Sequence, residues 1–277
     1  MSSLPPFILF DLDDTLFDHA RASRIALKSV HAVHANDIDF NDFAREHGRV
    51  LELFHARFLN GEFTLDEARA ARMTELFAAF ERSIDATTAL NISTIYRREH
   101  QGNRALVAGA RELLDALKNK TRMGIITNNS TAEQIEKLRA LDIAHFFEVI
   151  VISEDVGVTK PNPKIFEIAL ERLGAAAHET VMIGDSLAND IEGAINVGIA
   201  PLWLNRHIKG LISARVAGQN ALKTPADAGV YISELSTITS LAPLAATLAA
   251  IESAYLLNTV HHHRESDSHA STHHKGK

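Results

Sequence analysis

Asp11, Asp13 and Asp14 stand together in the segment Asp11-Leu12-Asp13-Asp14-Thr15-Leu16, directly after the apolar run Phe7 to Phe10. In an open parallel sheet, ligands collect at the carboxyl ends of strands, so acids at this point stand where a site belongs. Acids after a strand are also common turn formers. Taken alone, the segment tips only modestly toward a site. Three further segments change the balance: Ile126-Thr127-Asn128-Asn129, Thr159-Lys160-Pro161-Asn162-Pro163, and Gly184-Asp185-Ser186-Leu187-Ala188-Asn189-Asp190. Each ends an expected strand or starts a helix. Together they supply a hydroxyl and backbone N–H groups for phosphate oxygens, an ammonium for phosphate charge, and carboxylates for a hard cation.

These segments need a scaffold, and the chain patterns one. Short apolar runs recur at Phe7 to Phe10, Met123 to Ile126, Val149 to Ile152, Val181 to Ile183 and Pro201 to Leu204. Runs this short suit strands buried on both faces. Between them lie helical spacings: Leu113, Leu114 and Leu117; Ile135, Leu138 and Leu141; Ile165, Ile168 and Ala169. The alternation predicts an α/β fold, a Rossmann-like three-layer α/β/α core around a parallel sheet. Ser130 with Glu133 forms a candidate capping box, and Asn162-Pro163 supplies an N-cap and a first-turn proline.

The first strand is followed by a long stretch with no second strand, so something is inserted. Residues 18–104 read as a small all-helical domain, with Val50, Leu51, Phe54 and Phe58 on one face and Met73, Leu76, Phe77 and Phe80 on another. Those aromatics are expected to form a helical core. Asn60-Gly61 separates its helices. Residues 1–17 and 105–255 form the α/β core in this reading, with Val230 to Leu235 as a small strand and Leu241 to Ile251 as a closing helix. The His-rich tail, 261–277, has almost nothing apolar to bury and is expected to be disordered and solvated.

Composition narrows the function classes. The 277 residues are 46% hydrophobic, enough for one sizeable core with a companion domain. With 35 acidic against 28 basic side chains the formal charge is -7, and no basic cluster interleaved with aromatics appears, which argues against a nucleic acid polymer as partner. There are no cysteines, which removes disulfides, thiolate metal sites and cysteine nucleophiles. The start, MSSLPPFILFDLDD, has neither the basic segment of a signal peptide nor the length of a membrane span. A cytoplasmic location is the default expectation, and no partner protein is indicated.

As a set, the four segments resemble the four motifs of the haloacid dehalogenase-like hydrolase superfamily: DLDDTL the first, ITNN the second, KPNP the third and GDSLAND the fourth. The helical insertion resembles the family's mobile cap of the first type. VISEDVGVTKPNPKIFEIAL and the later WLN look most like the branch that holds pyrimidine 5'-nucleotidases and related small-molecule phosphatases.

The resemblance implies a role for each residue. Asp11 would be the nucleophile, attacking phosphorus to give an aspartyl phosphate. Mg2+ would be held by Asp11, the backbone carbonyl of Asp13, and Asp185, with retained waters. Asp13 would protonate the leaving alcohol and then deprotonate the hydrolytic water. A dehalogenase needs no such acid, so Asp13 favours ester hydrolysis. Thr127 and the Asn128 backbone N–H would hold phosphoryl oxygens, and Lys160 would offset phosphate charge. Asp190 would orient the lysine or support the metal. Asp14 and Ser186 read as loop-shaping residues. Phe17, His19, Arg57, Arg97 and Arg98 have the type and position to read a leaving group, yet side chains of this kind on helices are usually solvated.

The resulting expectation is a magnesium-dependent phosphatase of a small phosphorylated metabolite. A nucleoside 5'-monophosphate leads, with a sugar phosphate or flavin mononucleotide close behind. A catalytically silent phosphate-binding or regulatory module is the alternative from another class, and the intact set of Asp11, Asp13, Thr127, Lys160 and Asp185 argues against it.

Overall fold

The structure, a computed structural model, describes residues 4–206 and 236–272, with 259–272 described as backbone only. The strand expected at Val230 to Leu235 lies outside the described residues. The chain divides into two compact units, Met1–Phe17 with Leu106–Lys277, and Asp18–Ala105.

The first unit is the α/β core. Its strands are β1 (Phe7–Phe10), β2 (Arg122–Thr127), β3 (Val149–Ile152), β4 (Thr180–Gly184), β5 (Ala200–Leu204) and β6 (Thr237–Ile238). All neighbours are parallel, in the order β3-β2-β1-β4-β5-β6. Side chains alternate between faces along a strand. Phe7 and Leu9 therefore face one way, Ile8 and Phe10 the other, and all four are buried. A strand buried on both sides must be central, and β1 is. Phe10 lies level with Ile125 of β2 and Ile183 of β4. From β1 the chain first builds outward through β2 and β3, then returns to lay β4, β5 and β6 on the opposite side. The direction of winding reverses between β1 and β4, and a crevice at the carboxyl ends of those two strands follows from that topology.

The helices of the second unit are α1 (His19–His34), α2 (Phe40–Leu59), α3 (Leu65–Ala78) and α4 (Ala86–Gly102). Asp39, Thr64 and Asp85 cap three of them, Thr64 in a reciprocal capping box with Glu67. Gly61, at φ 76°, makes the turn between α2 and α3. Val50, Phe54, Met73, Leu76 and Phe77 are buried in one cluster with Phe43, Ile92 and Tyr96. The core is not purely apolar. Arg72 lies over the Tyr96 ring at 5.0 Å, and the Tyr96 hydroxyl donates to Ser23 Oγ at 2.8 Å.

The core resumes with α5 (Ala110–Leu117), α6 (Thr131–Ala140), α7 (Ser153–Val156), α8 (Pro163–Leu173), α9 (Glu192–Asn196) and α10 (Leu244–Thr272). Ile165, Phe166, Ala169 and Leu173 of α8 pack with Ala194 of α9 onto the face that carries Phe7, Leu9, Ile126, Val151 and Met182. The N-cap at Asn162 forms as its sequence suggests, with Pro163 in the first turn of α8, whereas Ser130 caps the Glu133 N–H of α6 without the reciprocal half of the expected capping box. The Ser130 backbone N–H goes to Asn129 Oδ1 at 2.8 Å.

Two expectations are corrected. On α6, Leu138 is buried but Ile135 is only half-buried, and the inward face is completed by Glu133, Gln134 and Lys137. A buried glutamine and lysine do not register in an apolar pattern. The tail expected to be disordered over 261–277 is helical as far as Thr272, and 273–277 lie outside the described residues. No glycine or proline interrupts α10, and propagating a helix already nucleated costs far less than starting one. Among the described residues, no helix is long and apolar enough to cross a membrane.

Phe43 is fully buried against the rings of Phe77 and Phe80, each with centroids 5.8 Å away. Phe43→Ala should cost about 3–5 kcal/mol in urea denaturation. Val33→Ala, at a side chain 70% exposed, should stay within about 0.5 kcal/mol. Similar losses for the two would show that the helical unit does not rest on this cluster.

Candidate active site

Asp11 is the first residue past β1, and its backbone N–H donates to the Ile183 carbonyl at 2.9 Å, so the strand's ladder runs right up to it. The register that sets Phe10 beside Ile125 and Ile183 brings the ends of β2 and β4 alongside. Thr127 is the last residue of β2, and Asp185 directly follows β4.

Lys160, in the loop between α7 and α8, reaches into this row. Its Nζ donates to Asp11 Oδ1 at 2.7 Å, to Asp190 Oδ1 at 2.5 Å and to the Ile126 carbonyl at 2.8 Å. An ammonium has three protons, and each has an acceptor. Burial opposes the charge on Lys160, but Asp11 and Asp190 outweigh it and hold the lysine above its usual range. The side chains of Lys160 and Asp190 are 2% and 1% exposed. Asn128 fixes the lysine's backbone from both sides: Asn128 Oδ1 accepts the Lys160 N–H at 2.8 Å, and Nδ2 donates to the Lys160 carbonyl at 2.9 Å.

Asp190 arrives by a local irregularity. Residues Leu187–Ile191 form a single π-helical turn, with the Ser186 carbonyl accepting from the N–H of both Asp190 and Ile191. The wider turn shifts the phase of the helix, and Asp190 points inward, where a regular helix would carry it off the stripe of Asp185. Its Oδ2 accepts the Ser186 N–H at 3.0 Å. Gly184 makes room, since a Cβ there would sit 2.4 Å from the Asp190 side chain. Trp203 Nε1 donates to the Asp185 carbonyl at 2.8 Å and braces the same loop from β5.

Ligand oxygens of Asp11, Asp185 and Asp190 all lie within 4.8 Å of one another. Three carboxylates with no nitrogen or sulfur donor suit a hard, oxygen-seeking divalent cation. Without one they repel. Burial, then the charge of Asp190 and of Asp13, lifts Asp11 to about 7 against the pull of Lys160. Burial and the charges of Asp11, Asp190 and Asp14 lift Asp185 to about 8.

Asp13 carries its carboxylate away from this cluster. Lys137 Nζ donates to both of its oxygens, at 2.7 and 2.9 Å, and Gln134 Nε2 donates to Oδ2 at 3.0 Å. The same Gln134 amide donates to Thr127 Oγ1 at 2.5 Å. Asp14, at φ 61°, turns out of the strand and pairs with Arg206 Nη2 at 2.5 Å. The structure thus gathers Asp11, Lys160, Asp185 and Asp190 into one contact group. Thr127 and Asp13 join a second group through Gln134 and Lys137, which sequence reasoning missed. Their spacing of three on a helix was the available signal. Of the other residues weighed for a leaving group, Phe17 is fully buried, His19 lies beside His100 with the rings tilted and centroids 5.1 Å apart, Arg57 pairs with Glu62 and covers the Phe63 ring, Arg98 pairs with Glu99, and Arg97 is exposed.

The sequence of haloacid dehalogenase-like hydrolases, taken as a family, matches residues 7–198 of this chain, which takes in every residue of both groups. The chain belongs to that family. This hydrolase is 34% identical over 203 residues to glyceraldehyde 3-phosphate phosphatase of Pyrococcus furiosus, covering 71% of this chain and 79% of that protein. It is 46% identical over 100 residues to pyrimidine 5'-nucleotidase YjjG of Escherichia coli, a match that takes in 36% of this chain and 44% of that protein. A solved structure of the HAD-hydrolase YfnB from Bacillus subtilis, described as bound to magnesium, superposes with TM-score 0.68 at 27% identity, covering 89% of this chain and 99% of that one.

The raised carboxylates fix the sign of a pH dependence. Between the ordinary carboxylate value of 3.8 and the folded values of about 7 and 8, the folded state binds more protons than the unfolded. Stability of the chelator-treated protein should therefore fall as pH rises through that window. Cation binding must expel the same protons, so affinity should strengthen by up to about tenfold per pH unit for each proton released, from pH 6 until about pH 8. Titration calorimetry with a divalent cation at several pH values checks this. Affinity that stays constant from pH 6 to 9 would contradict it.

Proposed function

We propose that this hydrolase is a magnesium-dependent phosphomonoesterase of small phosphorylated metabolites, working through an aspartyl phosphate on Asp11. The observation that carries the reading is the separation of two carboxylates two residues apart: Asp11 sits on Lys160 within the acidic cluster, while Asp13 is held apart by Lys137 and Gln134. Phosphoryl transfer to a carboxylate needs one group to attack and another to manage protons.

In this reading Lys160 holds Asp11 through Oδ1 and leaves Oδ2 for phosphorus. Since all three protons of Lys160 are taken, the lysine lowers repulsion by its field and by orienting Asp11 and Asp190, more than by gripping the phosphate directly. Magnesium, held by Asp11, Asp185 and the Asp13 carbonyl, would neutralise charge on the phosphoryl group. The Thr127 hydroxyl and Asn128 N–H bind phosphoryl oxygens. Asp13, a carboxylate in its contacts with Lys137, first takes a proton from solvent and gives it to the leaving oxygen as the P–O ester bond breaks. It then takes a proton from water, whose oxygen attacks phosphorus, releasing inorganic phosphate and restoring Asp11. Asp190 positions Lys160.

Two substrate classes are supported by the relatives. A nucleoside 5'-monophosphate is the first candidate, supported by the more identical match to a pyrimidine 5'-nucleotidase. A small sugar phosphate is the second, favoured by the longer alignment with glyceraldehyde 3-phosphate phosphatase.

Phosphate release from p-nitrophenyl phosphate and from a panel of nucleotides and sugar phosphates, with magnesium and with chelator, tests the proposal. Asp11→Asn should lose roughly a thousandfold or more in kcat. Wild-type protein that releases no phosphate from any member of the panel, or an Asn variant as active as wild type, would sink it.

A further inference from the structure

Helix α6 buries the polar side chains of Glu133, Gln134 and Lys137, and the mechanism above assigns none of them. Gln134 is fully buried and Lys137 is 2% exposed. They stand three apart, on one side of the helix. A lysine on a helix ordinarily extends its stem and keeps the ammonium in water. Lys137 instead brings its Nζ to 5.3 Å from the Phe17 ring centroid and closes on both oxygens of Asp13. Burying an ammonium is costly unless it is paired and hydrogen-bonded, and the partner here is the carboxylate assigned to proton transfer.

We infer that Lys137 and Gln134 are positioning residues that lock the proton-handling carboxylate of Asp13 and the phosphate-binding hydroxyl of Thr127 into a single unit. The inference rests on the phosphatase reading. A carboxylate has about four acceptor positions. Lys137 and Gln134 donate to three of them, which fixes the orientation of the carboxylate. Thr127 Oγ1 accepts from Gln134 Nε2. Its own O–H is then released to donate elsewhere, and a phosphoryl oxygen is the acceptor that the reaction supplies. One amide thereby sets both the leaving-group side and the equatorial side of the transition state.

The test is leaving-group dependence of kcat/KM, which reports only steps up to the first phosphoryl transfer and so excludes the later work of Asp13 as a base. p-Nitrophenolate leaves without a proton, whereas an alkoxide needs one. Lys137→Met should lose roughly a hundredfold or more on an alkyl phosphate that wild type hydrolyses, and less than about tenfold on p-nitrophenyl phosphate. Inhibition by inorganic phosphate should be unchanged. Lys137→Arg, which keeps a donor, should recover most of the alkyl activity. Gln134→Leu should show the same selectivity and in addition weaken inhibition by inorganic phosphate, since the Thr127 hydroxyl is no longer oriented. Thermal melts check that each variant folds, and should Lys137→Met fail, Gln134→Leu carries the comparison. Equal losses on both esters, no loss, or a gain in either variant would overturn the inference while leaving the phosphatase reading intact. A wild type that hydrolyses neither ester would refute both.

Discussion

A buried ammonium with all three of its protons committed is the constraint around which this hydrolase is organised. Lys160 joins the nucleophile candidate after β1, a carbonyl of β2 and an acid after β4, so one atom ties together three neighbouring parallel strands. Placing that charge in a protein interior is unfavourable unless the partners are fixed in advance. Much of the local structure does that fixing. Asn128 clamps the lysine's backbone, Gly184 leaves space for Asp190, and the π-turn swings Asp190 into reach. Removing any one partner from such a set leaves an uncompensated buried charge, which typically costs about 3–5 kcal/mol.

A second buried lysine stands beside the first and serves a different acid. Lys160 comes from the loop beyond β3, Lys137 from the helix after β2, and they divide Asp11 from Asp13 although one residue separates the two acids in sequence. Strand geometry alone would not separate them, because residues i and i+2 share a face. The chain has left β1 by Asp13, where an isolated bridge links Asp13 to Phe17 and another links Phe17 to Leu106. Each of the two carboxylates therefore has its own buried cationic partner.

The sheet could be read from the sequence because its strands are short, apolar and buried on both faces; Phe7 to Phe10 is the clearest case. Asp11 and Asp185 could be read because strand ends in a parallel sheet are where polar residues need a reason to be, and Lys160 because its segment opens a helix with an N-cap and a proline. What could not be read came from polar groups used as if they were apolar. Gln134 and Lys137 fill core positions of α6, which a hydrophobic pattern records as the solvent side. Asp190 is expected as a partner for the lysine, but the wide turn that brings it there leaves no compositional trace. Asn128 was expected to offer its backbone, and its side chain turned out to hold Lys160. Helix α10 passes through His262 to Thr272 because helix propagation depends on the backbone, while apolar content reports only on packing.

The discontinuity of the core has a consequence for how the molecule is made. β1 is the middle of the sheet, yet it is synthesised first, and neither of its neighbours exists until the whole of the helical unit has left the ribosome. That unit makes its contacts within one continuous stretch, 18–105, and domains of this kind can fold as they emerge. The four buried side chains of Phe7 to Phe10 have no such local solution and must wait for β2 and β4. Closing them into the sheet is the most non-local step in the chain, and topologies dominated by such steps fold slowly. The nascent protein therefore carries Asp11 at the end of an unpaired, adhesive strand during synthesis, and folding of the inserted helices shortens the path by which that strand finds its partners.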